Sequence, residues 1–139
     1  MDSFDENPSL TAYLYERGEG RTKHRWKKDR AGFKPAKRGP IGKCHRSISE
    51  EIAQNLLHTG IIEPDPFGDD NLCAAPERVY NVYRGIPYVA VPTRPGISYH
   101  GYPWRGRMNP QIQEQLRVRA EQSGDLREFQ KWLKKYRDK

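Results

Sequence analysis

The stretch "RVYNVYRGIPYVAV", residues 78–91, decides the fold. Two runs of β-branched and aromatic residues flank Arg84-Gly85, and that arrangement predicts a β-hairpin with a two-residue turn. The turn sets the register, with Tyr83 facing Ile86 and Asn81 facing Tyr88. Alternation then puts Tyr80, Val82, Val89 and Val91 on one face, and Asn81, Tyr83, Ile86 and Tyr88 on the other. Arg-Gly is a poorer turn than Asn-Gly, and Pro87 has no N–H to give to a ladder, so it calls for an edge position.

Outward from the hairpin, "TRPG" at 93–96 is a turn and "SYHGY" at 98–102 reads as a third strand. Upstream, "SISEEIAQNLLHTGI" has the parts of a helix: Ser47 as N-cap, Glu50 as its capping-box partner and Gly60 as the stop. Ile52, Ala53, Leu56 and Leu57 give it a buried face. "EPDPFGDDN" follows as an acidic loop. Downstream, Asn109-Pro110 is an N-cap and N1 pair, and Met108, Ile112, Leu116 and Ala120 form a stripe. Gly124 closes that helix. Asp125 caps a second one, with Leu126, Phe129, Trp132, Leu133 and Tyr136 inward. The expected fold is α+β: a small antiparallel sheet, made of hairpin 79–91 plus a third strand, packed with an N-terminal helix and two C-terminal helices. The expected domain is 41–139. Residues 1–40 read as a basic, largely disordered arm that offers almost nothing to bury.

The bulk properties narrow the function. The chain has 139 residues, enough for one domain, and with only 35% hydrophobic residues its core is modest. No apolar run is long enough for a membrane span, and "MDSFDENPSL" lacks the apolar region of a signal peptide, so a cytoplasmic setting is expected. Cys44 and Cys73 do not make a disulfide framework and read as reduced thiols. The net charge of +7 is uneven: −4 over residues 1–16, +10 over 17–46, −6 over 47–78 and +7 over 79–139. Two basic blocks around an acidic one suit a polyanion, because Lys and Arg release counterions when they neutralise phosphates. In "RTKHRWKKDRAGFKPAKRGP", Lys27 and Lys28 are placed to contact nucleic acid. Trp26 and Phe33 interleave with the bases, as base stacking needs, although pinning the arm to the domain would use them equally well.

No phosphate loop, dinucleotide fingerprint, zinc-protease helix or nucleophile elbow is present. Cys44, His45, Cys73 and His100 have irregular spacings, and adjacent Cys44 and His45 reach one zinc ion poorly, so neither metal nor cofactor is expected. A Cys44–His100 nucleophile pair fits composition alone. The remaining concentration of chemistry is "GISYHGYPWRGR", residues 96–107, with His100 among aromatics and arginines. Metal-independent cleavage of RNA needs a base for the 2′-hydroxyl, an acid for the leaving oxygen and cations for the phosphate, and histidine serves either proton role. His100 is the candidate acid or base, on a strand whose alternation points it away from both neighbouring tyrosines. Lys43, beside His45, and Arg84 are candidate catalytic phosphate contacts, with Arg105 converging on the same phosphate. Tyr99, Tyr102 and Trp104 would shape the nucleotide pocket, and Arg105 and Arg107 would add to nucleic-acid binding. A histidine bonded within a tight turn is the plainer reading of His100. His24 lies in the arm, and His58 is explained by a helix C-terminus.

Taken in order, "GPIGKCHRSISEEIAQNLLHTGI", "PERVYNVYRGIPYVAVPT", "YHGYPWRG" and "FQKWLKKY" resemble small C-terminal toxin domains of bacterial polymorphic, secretion-system-delivered toxins. The resemblance covers roughly residues 39–136 and departs at His45, where proline would follow the cysteine. It implies a nuclease on a compact helix-plus-sheet scaffold, with a cognate immunity protein as partner. The expected function is therefore a metal-independent ribonuclease of toxin-effector type. The alternatives are a non-catalytic RNA- or DNA-binding protein, or an adaptor for an acidic protein partner.

Overall fold

A computed structural model describes residues 6–16, 32–34, 41–43, 48–63 and 76–136, with the side chains of 34 and 41–43 excluded. The elements in chain order are β1 (Leu14–Tyr15), β2 (Gly32–Lys34), β3 (Ile41–Lys43), α1 (Glu50–His58), β4 (Ile61–Ile62), β5 (Val79–Tyr83), β6 (Ile86–Arg94), β7 (Ser98–Pro103), α2 (Pro110–Gln122) and α3 (Leu126–Tyr136). The protein is α+β. Its sheet is wider than hairpin plus one strand and is mixed: the order is β1-β7-β6-β5-β4, with β1 parallel to β7 and the other pairs antiparallel. A separate ribbon pairs β2 with β3. Among the described residues, no helix is long and apolar enough to cross a membrane.

The hairpin has the expected register, Tyr83 opposite Ile86 and Asn81 opposite Tyr88. Arg84 (φ 51°) and Gly85 (φ 81°) both take the left-handed region, which gives the primed turn that matches strand twist. An arginine there costs roughly 1 kcal/mol. Gly85 has a second reason to lack a side chain: a Cβ would lie 2.7 Å from the Asp125 carbonyl oxygen and 2.8 Å from Glu128 Cβ. The turn is thus pressed against the start of α3. Pro87 does not sit on an edge, because β6 is the central strand. Its ring nitrogen points toward β7, which ends at Pro103 opposite Tyr88, and Trp104 N donates to the Pro87 carbonyl at 2.8 Å. The Trp104 carbonyl, which an N–H at position 87 would serve, instead accepts from Trp132 Nε1 at 2.8 Å.

One face of the sheet buries Tyr80, Val82 and Val89 against Ile112, Leu116 and Ala120 of α2 and Phe129 of α3. The other face buries Val79, Ala90 and Tyr99 against Leu57 of α1 and Leu10. α3 crosses the tip end of the hairpin, so Trp132 reaches the second face beside Tyr88, Ile48 and Ala53. Asn81 is buried on that face and fully used: its Nδ2 donates to the Leu56 carbonyl and Thr59 Oγ1, and its Oδ1 accepts from Arg119 at 3.1 Å. Arg119 also donates to the Thr59 carbonyl at 2.7 Å, and burial lowers its pKa. One arginine thereby ties α2 to the end of α1.

The helix boundaries follow the expected chemistry with one shift. Asn109 caps α2 with Pro110 at its first position, and Gly124 (φ 80°) follows its end. The N-cap of α1 is Ser49, whose hydroxyl accepts from Ile52 N, and not Ser47, so Glu50 opens the helix instead of closing a capping box. Ser49 wins because Ile48 is buried and fixes where the chain enters.

The arm boundary near residue 40 does not hold for residues 6–16. Leu10 is fully buried in the second-face core, and β1 extends the sheet. Asn7 N donates to the His58 carbonyl, Tyr15 N donates to Gln54 Oε1, and Gln54 Nε2 donates to the Tyr13 carbonyl. Glu16 accepts from Arg94 at 2.7 Å and from the Ser98 hydroxyl. The Ser98 bond and then the Arg94 bond hold its carboxyl below its ordinary value. Phe33 belongs to the fold as well, 5.0 Å from the Tyr136 ring. A sparse segment still buries enough when one leucine and two tyrosines land on an existing sheet edge.

Candidate nucleic-acid interface

His100 lies opposite Val91, with Tyr102 opposite Val89, so both side chains share the α2 face of the sheet. Their ring centroids are 6.5 Å apart. The expectation that alternation turns His100 away from both tyrosines is therefore corrected: residues two apart on a strand face the same way. Beyond Pro92 the β6–β7 register shifts, leaving Thr93 as an extra residue. Its hydroxyl is hydrogen-bonded to His100 Nδ1 at 2.7 Å. A hydroxyl can accept from or donate to that nitrogen, so the contact fits more than one protonation state of the ring.

Arg78, one residue before β5, continues the same row across the sheet: Arg78, Val91, His100. Two strand spacings separate the ends of this row, about 10 Å. The Arg78 guanidinium lies over Trp104, 5.4 Å from its centroid, and 3.9 Å from Glu63 Oε2. Trp104 packs edge-on against Tyr80 at 5.6 Å, and the Tyr80 hydroxyl donates weakly to Glu63 at 3.5 Å. Burial raises the Tyr80 pKa, and its hydrogen bond to Arg78 raises that of the guanidinium. A cation, a carboxylate, a phenol and a histidine thus border one patch, floored by Val91 and walled by Tyr102 and Trp104.

Of the residues expected to form the site, His100, Tyr102 and Trp104 fall in this patch. Tyr99 does not. It is fully buried on the opposite face, its hydroxyl donates to the Pro76 carbonyl at 2.5 Å, and desolvation pushes its pKa up to about 12. Arg84 is also elsewhere: Val91 lies five residues along β6 from Ile86 at the turn, so about 17 Å separates the hairpin tip from the His100 row. Arg84 and His100 cannot serve one phosphate. Arg105 lies over the Phe33 ring at 5.4 Å, on the tip side, and Arg107 is exposed. Lys43 belongs to β3, but its side chain lies outside the described residues, as do Lys27, Lys28, His24, Trp26, Cys44, His45 and Cys73. His58 Nε2 lies 2.8 Å from the Tyr13 carbonyl, a structural contact.

Arg78, Glu63, Tyr80 and Thr93 were not singled out from the sequence. Arg78 carried a signal: it is the single base in the acidic block 47–78, and it stands two residues from Tyr80. Glu63 and Thr93 carried none, because strand pairing and a bulge bring them in. Among the described residues, no three His, Cys, Asp or Glu side chains are grouped to hold a metal ion. No protein-family model, curated protein or solved structure matches this chain.

Proposed function

We propose that the patch binds RNA and cleaves it without metal, with His100 moving the proton and Arg78 neutralising the phosphate. The observation that carries this reading is the row Arg78–Val91–His100. It puts a cation-bearing residue and a histidine two strands apart on one face of the sheet, with Val91 between them. With Nδ1 held by Thr93, His100 Nε2 takes the 2′-hydroxyl proton. The 2′-oxygen forms its bond to phosphorus as the bond to the 5′-oxygen breaks, the 5′-oxygen takes a proton from solvent water, and His100 returns its own proton to solvent. The products are a 2′,3′-cyclic phosphate and a 5′-hydroxyl. Arg78 carries the charge on the non-bridging oxygens, and Glu63 and Tyr80 keep its guanidinium in place. Tyr102 and Trp104 offer planes for the flanking bases. The resemblance to toxin tips supports the same class of activity, and an effector role is part of the proposal.

Purified protein is incubated with total RNA in excess EDTA. The expected result is cleavage to cyclic-phosphate ends, lowered about 10²- to 10⁴-fold by His100→Ala. RNA left intact at every protein concentration would refute the reading.

A further inference from the structure

The tip end of the hairpin carries cations that the His100 patch does not use. Arg84 lies over the Tyr83 ring at 5.7 Å, Arg105 over Phe33 at 5.4 Å, and Lys135 over Tyr136 at 5.2 Å. These rings are neighbours: Phe33 is 5.0 Å from Tyr136, and Tyr83, Phe33 and Tyr136 all pack against the cluster around Trp132. The backbone beneath is tied down, since Gly106 N donates to the Tyr136 carbonyl at 2.7 Å and Trp132 Nε1 donates to the Trp104 carbonyl at 2.8 Å. Among the described residues, no carboxylate pairs with Arg84, Arg105 or Lys135. Glu128, which faces the turn, pairs with Lys131 at 3.7 Å.

We propose that this surface is a second nucleic-acid site, which holds the backbone of a single strand remote from the His100 patch. Three cations seated on rings have their positions set before a ligand arrives, so less side-chain entropy is lost on binding. The rings and the planar guanidinium groups offer faces for bases, while the unpaired charges meet phosphates. This combination favours a sequence-tolerant single strand over an acidic peptide, which has no flat groups to stack. The surface does not depend on catalysis, because its residues lie at the other end of β6.

The test uses fluorescence polarisation with a fluorescein-labelled twelve-residue oligodeoxythymidylate, which has no 2′-hydroxyl to cleave. Arg84→Glu/Arg105→Glu/Lys135→Glu should weaken binding on the order of 30-fold and flatten the log affinity against log salt slope by about 2, three contacts at about 0.7 each. Arg117→Gln, which removes a cation already paired with Glu114 and Glu121 on α2, should leave both unchanged. If the triple variant melts early, the milder Arg105→Gln/Lys135→Gln should still show a partial loss in the same direction. Unchanged affinity and slope in folded variants would overturn the proposal. So would displacement of the oligonucleotide by polyglutamate at equal charge concentration, which would assign the surface to acidic proteins.

Discussion

At the far end of the β5–β6 hairpin, Arg78 lies over Trp104 with Glu63 and Tyr80 beside it. At the tip, Arg84, Arg105 and Lys135 also lie over rings, but no described carboxylate pairs with them, and Glu128, which faces the turn, is engaged by Lys131. The same cation-on-ring motif therefore sits in two electrostatic settings. At Arg78 a carboxylate and a phenol flank the cation and balance its charge locally, with His100 two strands away on the same face. At the tip, where no carboxylate among the described residues pairs with the cations, their fields add. Overall basicity does not distinguish these two settings. The position of acids relative to bases does.

Substitutions at the two ends differ in their expected cost. The largest effect is expected at the tip, where Gly85→Val meets both the left-handed φ and the α3 backbone; it should destabilise by roughly 3 kcal/mol or more in a denaturant melt and loosen α3. Phe129→Ala, under the sheet face that carries the His100 patch, should cost about 3–5 kcal/mol. Leu10→Ala should cost about 2–5 kcal/mol, and deleting residues 6–16 should abolish cooperative unfolding, whereas an arm that merely trails from the domain would leave the melt unchanged. The smallest effect concerns Glu16. Its folded pKa is depressed, so its contribution is complete above the ordinary value of 4.5 and is lost as pH falls through the lower folded value. Glu16→Gln should remove that acid-side loss and weaken hydrogen-exchange protection at Glu16 N, which donates to the Tyr99 carbonyl.

The hairpin, its register and both C-terminal helices were legible because local rules fix them: a glycine turn, strict alternation, and an Asn-Pro start followed by a stripe. The parallel β1 strand was not legible. Leu10, Tyr13 and Tyr15 become core by packing with Leu57, Val79, Ala90 and Tyr99, all far along the chain, and no local pattern shows this. His100, Tyr102 and Trp104 could be picked out as a dense polar and aromatic run. Tyr99 belonged to the same run, yet it faces the other way, and the parity of the strand separates it from the patch. Thr93 required the bulge, and Glu63 required the pairing of β4 with β5. Arg84 and Lys43 were assigned to His100 on chemistry alone; for Arg84, the length of β6 rules it out.

The separation of the two ends is tested most directly by NMR, titrating an uncleavable 2′-O-methyl RNA twelve-mer into isotope-labelled protein. Two sets of shifted resonances are expected, one at Arg78, His100, Tyr102 and Trp104 and one at Phe33, Arg84, Arg105 and Tyr136. His100→Ala should spare the second set, and Arg84→Glu/Arg105→Glu/Lys135→Glu should spare the first. Shifts confined to residues outside both ends, or both sets lost together in either folded variant, would contradict that separation.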